Sequence, residues 1–439
     1  MNPKLATTLI LSYVFYTCKS NSIDPCASQQ DESDLKVSPM YGKCSPINSL
    51  KTNSWDDRVI NMASKDLDRI TYLSTLVAKK SAFSASTPIA SGQAFNINNY
   101  VVRVKIGTPG QLLSMVFDTS SDEAFIPSLG CTGCSAPKFS PKSSTSYVPL
   151  KCFTPQCGLT RGHLCSVKSS NLCSFNQSYA DSSFSATLAQ DSLTLDGAVI
   201  PKFSFGSINA ISGASIPAQG LLGLGRGPLS LLSQSVSTYS GVFSYCLPSF
   251  KSQYFSGSLK LGRADQPKTI QTTPLLRNPR RPSLYYVNLT GVSVGSVNVP
   301  IPNNLLAFNP KIGAGSIIDS GTVITRFVEP VYNAIRDEFR KQVKGPFSSL
   351  GAYDTCFKDT NETTSPAITL HFQDLDLKLP MENGLIHSTS EPLVCLAMAA
   401  APKNVNSVLN VIANYQQQNL RILFDTVNNK VGIALELCN

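Results

Sequence analysis

The sequence holds only three histidines, His163, His371 and His387, and none sits at ligand spacing from another or from the Cys131-x-x-Cys134 pair. A zinc site needs a second ligand pair at a fixed short spacing. No metal is therefore expected, and the histidines read as ordinary surface or core residues. No run of eighteen apolar residues occurs, so no membrane span is expected. There is no concentrated basic stretch either: the formal charge of +9 comes from 37 Lys and Arg against 28 Asp and Glu spread along the chain. That distribution favours solubility and contact with acidic polymers, and nucleic acid is not an expected partner. Closely spaced glycines in GLGRGPLS at 223–230 lack the GxGxxG order with a following acidic residue, so neither a nucleotide nor another cofactor is implied.

The chain has 439 residues, 42% of them hydrophobic and 15% charged, which is a globular composition too long for one ordinary domain. Two lobes are expected. At the N-terminus Lys4 precedes an apolar stretch from Leu5 to Tyr16 and small or polar residues to Ser22. This reads as a secretory signal over 1–22, with a buried helix or strand as the alternative. Secretion makes disulfides the natural use of thirteen cysteines. Cys18 would leave with the signal and Cys26 and Cys44 follow it. Cys131, Cys134, Cys152, Cys157, Cys165, Cys173, Cys246, Cys356, Cys395 and Cys438 remain, an even set compatible with five bridges.

Residues 54–80 place Ile60, Ala63, Leu67, Ile70, Leu73 and Val77 at spacings of three and four, which predicts one apolar helical face. Ser54 can cap its start, and Lys79 with Lys80 suits its end. SAFSASTPIASGQ, broken by Pro88 and Gly92, reads as a linker. Helix and linker together form a candidate pro-segment over 23–92, with a helical cap that stays attached as the alternative. From Asn99 onward the pattern changes to short β-branched and aromatic runs between turn residues: YVVRVKIG, LLSMVFD, DSLTLDG, KFSFG, GSLKLG, YYVNLTGVSV, SIIDSG and ITLHF. These predict an all-β fold, with one later helix in EPVYNAIRDEFRKQV presenting Val331, Ile335 and Phe339.

The β-rich portion repeats itself weakly. Tyr100-Val101-Val102 leads to Asp118-Thr119-Ser120-Ser121, and Tyr285-Tyr286-Val287 leads to Asp319-Ser320-Gly321-Thr322; each Asp is followed about a hundred residues on by an apolar segment, QGLLGLG or LNVIANYQQQ. A period this long indicates duplication. If the halves are related by a pseudo-twofold axis, Asp118 and Asp319 meet at the cleft. Two adjacent carboxylates share one proton, which places an acid and a base at one point. Thr119, Ser121, Ser320 and Thr322 could support the pair, Ser121 and Thr322 by bonding the outer oxygen of each Asp. Asn176, Asn288 and Asn361 open N-x-S/T sequons, so glycosylation is possible on a secreted chain.

From about Tyr100 to its end the sequence resembles the pepsin-like aspartic proteases, and among them the plant nepenthesin-type group with its apoplastic members. DTSSD, IIDSGT, QGLLGLGRGPLSLLSQ, GVFSYCLPS, IANYQQQNLRILFDTVNNKVGIA and the cysteine-rich stretch from Cys131 to Cys173 carry the resemblance. It implies a bilobal fold with lobes over 93–270 and 271–439, a cysteine-rich insertion over 131–173, a cleaved pro-segment and a flap whose tyrosine is Tyr179. It also implies a secreted, monomeric endopeptidase of the apoplast or cell wall, acting on proteins or peptides. This sequence departs from the pattern at Ser120 and Ala413, where the family has Gly, at Phe125, where it has Trp, and at Ala180 and Ser182 in the flap. Ser120 is expected to crowd the region behind the carboxylates. Ser128 and Ser207 stand where the family has Cys. Either those two were partners, or Cys131 and Cys134 re-paired after each lost one. The alternative functional reading is a catalytically silent pepsin-fold inhibitor or receptor-like protein.

Overall fold

The computed structural model describes residues 35–39, 55–77 and 100–438, less the short stretches 135–137, 166–170, 180–181, 196–197, 214–219, 251–256, 264–265, 389–390 and 404–407. The expected signal over 1–22, Cys18, Cys26, Cys44, Ser54, Lys79, Lys80 and the linker lie outside the described residues.

The alternating run YVVRVKI forms a strand, β2 (Tyr100–Ile106), paired antiparallel with β3 (Gln111–Asp118) so that Val101 faces Val116. A third strand, β4 (Phe125–Thr132), leaves the end of β3. The short strand Leu221–Gly223 then lies parallel to β3, with Gly223 opposite Asp118, and antiparallel to β4 at Phe125. The second half repeats this arrangement. Strand Gly315–Ile318 lies parallel to Leu409–Ile412, which is crossed antiparallel by Thr325–Phe327 at Arg326. In both halves an apolar strand ends at or just before an Asp and takes a hydrogen-bonded neighbour from about a hundred residues downstream. The duplication read from the sequence is therefore present as backbone pairing.

The two halves join through a shared antiparallel layer in which Val242–Cys246 pairs with Leu420–Asp425 and Gln271–Leu276 pairs with Lys430–Leu435. Phe243 stacks on Phe424 at 4.7 Å between centroids in the core beneath it. The described strands form one large mixed sheet and two four-stranded sheets. The later helix spans Glu329–Gln342 and buries Val331, Ile335 and Phe339 as expected.

All ten candidate cysteines pair: Cys131–Cys134, Cys152–Cys165, Cys157–Cys173, Cys246–Cys438 and Cys356–Cys395. Three bridges staple the insertion at 131–173, which has little apolar core of its own to hold it. The hydroxyls of Ser128 and Ser207 lie 2.5 Å apart. The two positions that resemble lost cysteines thus face each other across neighbouring strands, and a hydrogen bond occupies the place of a bridge.

Two features of the N-terminal region were not expected. Leu35–Pro39 (β1) is a strand, inserted antiparallel between β2 and Gly257–Leu261. The helix α1 (Trp55–Val77) exists where the periodicity placed it, but its buried stripe is rotated. Leu67 is 42% exposed, while Val59, Met62, Ala63, Asp66, Arg69, Ile70, Leu73 and Val77 are buried. Val59, Met62 and Ala63 pack on Val323, Ile324, Tyr353 and Tyr415, and Ile70, Leu73 and Val77 on Leu284, Tyr286 and Val411. Glycine makes the close approach possible: a Cβ on Gly313 would stand 2.4 Å from Val77 and one on Gly351 2.6 Å from Ile60. Hydrophobic periodicity prefers Leu67 because it assigns Asp66 and Arg69 to solvent; the helix instead turns both charges inward.

Candidate active site

Asp118 ends β3, Asp319 follows Gly315–Ile318, and both are buried. Each carboxylate is held by the residues immediately after it. Ser121 Oγ donates to Asp118 Oδ2 at 2.6 Å, and Thr322 Oγ1 donates to Asp319 Oδ2 at 2.5 Å. The N–H of Ser120 donates to Asp118 Oδ1 at 3.0 Å, and that of Gly321 to Asp319 Oδ1 at 3.3 Å. Behind the pair the chain crosses over. The Ser320 N–H donates to Thr119 Oγ1 at 2.9 Å, and the Thr119 N–H donates to Ser320 Oγ at 3.2 Å. All six residues singled out in the two motifs thus meet, and the reciprocal Thr119–Ser320 bonds fix one half against the other.

The GLGRG segment wraps the first motif. The Leu224 N–H donates to the Asp118 carbonyl and that of Gly225 to the Ser121 carbonyl, both at 2.8 Å. The Gly227 N–H reaches Asp122 Oδ1 at 2.7 Å, and a Cβ there would stand 2.2 Å from the Asp122 carboxyl carbon. Spacing of the glycines is thus set by contact with DTSSD. Ser120 does not crowd the region behind the carboxylates. Its Oγ faces forward, donating to Asp118 Oδ2 at 3.1 Å. Phe125 is buried edge-on against Phe184 at 5.0 Å between centroids. Ala413 is buried, its N–H donating to Thr325 Oγ1.

The cleft between the carboxylates is filled by α1. Arg69 Nη2 donates to Asp118 Oδ1 and to Asp319 Oδ1, each at 2.8 Å, and Nε donates to Asp319 Oδ2 at 2.8 Å. Ser120 Oγ accepts from Nη2 at 2.9 Å and Thr322 Oγ1 from Nε at 3.1 Å. The absence of a side chain at Gly321 leaves the space, since a Cβ there would stand 2.1 Å from Nη2. Burial opposes the Arg69 charge, but Asp118 and Asp319 outweigh it and raise the pKa. Burial likewise pushes Asp319 up, and the Arg69 charge and hydrogen bond, with Thr322 and the Gly321 N–H, bring it to a net position below the ordinary range.

One turn before Arg69, Asp66 makes a second polar contact. Its Oδ1 accepts from the Val323 N–H and its Oδ2 from the Ile324 N–H, both at 2.9 Å. Arg326 Nη2 donates to the Ala63 carbonyl at 3.0 Å. Burial pushes Asp66 up to about 7, against the pull of Arg326, the two N–H groups and Arg69. Sequence reasoning did not find Asp66. The D-x-x-R spacing, which puts both groups on one helical face, is the signal that could have shown it.

The remaining candidates lie elsewhere. Tyr179 ends strand Cys173–Tyr179, with its side chain and Ala180 outside the description. Asn176 is exposed, Asn288 is half-buried and donates to Gln373 Oε1, and the Asn361 side chain lies outside the description. Each histidine has a local partner: His163 the Thr160 carbonyl, His371 Asp376 and Ser293, and His387 Glu362.

The fold is that of pepsin-like proteins. It matches the crystal structure of edgp with a TM-score of 0.64 at 21% identity, over 78% of this chain and 92% of that one. It matches basic 7S globulin from soybean at 0.62 and 17% identity, over 77% and 93%. Residues 100–263 match the family model described as xylanase inhibitor N-terminal, and 284–434 the one described as xylanase inhibitor C-terminal. The chain is 59% identical to aspartyl protease AED3 of Arabidopsis thaliana over 98% of its own length and 97% of that protein's. It is 49% identical to aspartyl protease 25 of Oryza sativa subsp. japonica, over 87% and 91% of the two chains. With the aspartic proteinase nepenthesin-1 of Nepenthes gracilis the identity is 34%, over 87% and 86%. The chain belongs to the plant family of pepsin-like aspartyl proteases.

Proposed function

We propose that this chain is the precursor of a secreted aspartic endopeptidase whose reacting groups are Asp118 and Asp319. The observation that carries the reading is the pair of buried carboxylates, each held by its own hydroxyl and joined behind by reciprocal Thr119–Ser320 bonds. Once Arg69 is gone, two carboxylates this close hold one proton between them. The ionised member takes a proton from a water held between the two as that water's oxygen adds to the peptide carbonyl carbon. The protonated member gives its proton to the carbonyl oxygen, and the resulting diol collapses with proton transfer to the departing amine. Neither a metal nor a nucleophilic side chain takes part. Tyr179 closes over the substrate as the flap.

In this reading residues 1–22 are a signal, 23–92 a pro-segment comprising β1 and α1, and 93–270 and 271–439 the two lobes. The pro-segment keeps the precursor silent because Arg69 occupies the place of the water and the scissile bond. Acid protonates the carboxylates, Arg69 loses its partners, and the chain is cut near residues 85–95. Localisation outside the cell accords with the five disulfides.

The family models that match are described as xylanase inhibitor, which favours as second reading a silent pepsin-fold binding protein. Incubation of acid-treated protein with a denatured protein substrate separates the two. Cleavage blocked by pepstatin is the expected result. A fully processed chain that cuts nothing establishes the second reading.

A further inference from the structure

The contact made by Asp66 is separable from the plugging of the carboxylate pair. Val323 and Ile324 present two adjacent backbone N–H groups to one carboxyl, one to each oxygen. Arg326, two residues further along in strand Thr325–Phe327, is 2% exposed. Its Nη1 donates to the Ala400 carbonyl, its Nη2 to Ala63 of the helix, and its Nε is buried with no partner among the described residues. When α1 leaves, both N–H groups lose their acceptors and Arg326 loses the Ala63 carbonyl. Water covers these donors in the opened cleft, and a ligand whose acceptors match their spacing displaces it. A substrate backbone carbonyl presents one oxygen and no charge. A carboxyl presents an oxygen to each N–H, with or without a proton on it, whereas a side-chain amide turns hydrogens towards one of them.

We infer that the opened cleft contains a carboxyl-binding subsite formed by the Val323 and Ile324 N–H groups and Arg326, and that it selects substrates with Asp or Glu near the scissile bond. Asp66 occupies this subsite in the precursor as a substrate side chain would. It lies three residues from Arg69 on one helical face, about 5 Å along the axis. An extended peptide covers that distance in one or two residues, so the acidic residue falls within about three positions of the cleaved bond, allowing for side-chain reach. This inference rests on the endopeptidase reading and adds a substrate preference to it.

The test uses the mature processed protein and a positional-scanning peptide library, followed by matched peptides that differ only as Asp, Asn or Ala at the selected position. Enrichment of Asp and Glu at one position is expected, with kcat/KM about tenfold or more above the Asn peptide, and with Asn no better than Ala. Cleavage with equal efficiency for Asp and Asn at every position overturns the subsite and leaves the endopeptidase reading standing. Failure to cut any peptide removes that reading and the subsite with it. The variant Arg326→Lys, which keeps the charge on a single donor head, is expected to lower the ratio of kcat/KM for the Asp peptide over the Asn peptide, both read on the same preparation. An unchanged preference in a folded Arg326→Lys protein also overturns the assignment.

Discussion

Replacing Arg69 by Met in the precursor keeps most of the volume of the stem and removes the charge that joins Asp118 to Asp319. Five hydrogen bonds leave with it, three of them to carboxylate oxygens. Breaking a buried pair by deleting one member costs about 3–5 kcal/mol, because the remaining charge is left without compensation. Here the carboxylates can relieve part of that cost by taking up a proton, so the lower end of the range applies. At 1.36 kcal/mol per factor of ten, the equilibrium between docked and released α1 shifts by about 10²-fold. The apolar contacts of Val59, Met62, Ile70, Leu73 and Val77 remain, so the helix still forms and still docks part of the time. The assay is cleavage of a small peptide by the uncut precursor, with gel analysis to exclude processing. Arg69→Met precursor is expected to cleave measurably where the parent is silent. Arg69→Lys should fall between them, since a single ammonium cannot reproduce the fork that touches both carboxylates. A precursor that stays silent with Met at 69, while its processed form is active, would refute the role given to Arg69.

Release of α1 has two opposed pH dependences. Asp319 is held low in the docked state, so its contribution is present above its open-cleft value and is lost as pH falls. Asp66 is pushed up to about 7, so its contribution is complete below its ordinary value near 3.8 and is lost as pH rises through about 7. Hydrogen exchange of α1 in the Asp118→Asn precursor, which keeps Asp319 and should not cut itself, is expected to show greatest protection in mildly acid solution; protection that climbs steadily into alkali contradicts the burial of Asp66. In the insertion lobe, Gly206→Ala sets a methyl 2.8 Å from the rings of Phe125 and Phe175, an overpacking worth about 1–3 kcal/mol. Calorimetry should show a lower Tm, and an unchanged Tm would contradict the packing. Ser120→Gly removes a donor to Asp118 and an acceptor for Arg69, so the variant precursor should process faster and the mature enzyme turn over more slowly; faster turnover would mean that Ser120 burdens the site.

The motifs were legible because each keeps its chemistry in four consecutive residues. A strand ending in Asp, followed by two hydroxyl or small residues and a third hydroxyl, prescribes the local bonds made by Ser121 and Thr322. The doubled order of elements reappears as the parallel pairing of Leu221–Gly223 with β3 and of Leu409–Ile412 with Gly315–Ile318, which the order alone did not specify. Relations set only by the tertiary fold were hidden. Nothing local distinguishes β1, whose partners are over sixty residues away, and no spacing decides which of ten cysteines meet. Charge alone does not distinguish Arg69 from the nearby cations Lys51, Arg58 and Lys65. Only the rotation of α1, set by Gly313, Gly321 and Gly351 on the surface it meets, selects Arg69. The same rotation exposes Leu67 and buries Asp66.

The central claim is that Asp118 and Asp319 act as one acid–base unit, and the direct measurement is kcat/KM of the processed protein beside its Asp118→Asn and Asp319→Asn variants. To separate loss of chemistry from failure to mature, each is expressed with a foreign protease site in the linker and processed at that site. The account predicts that both variants lose about 10²-fold or more, to a similar degree, with folding intact by circular dichroism. Retention of parental activity in either variant would contradict it.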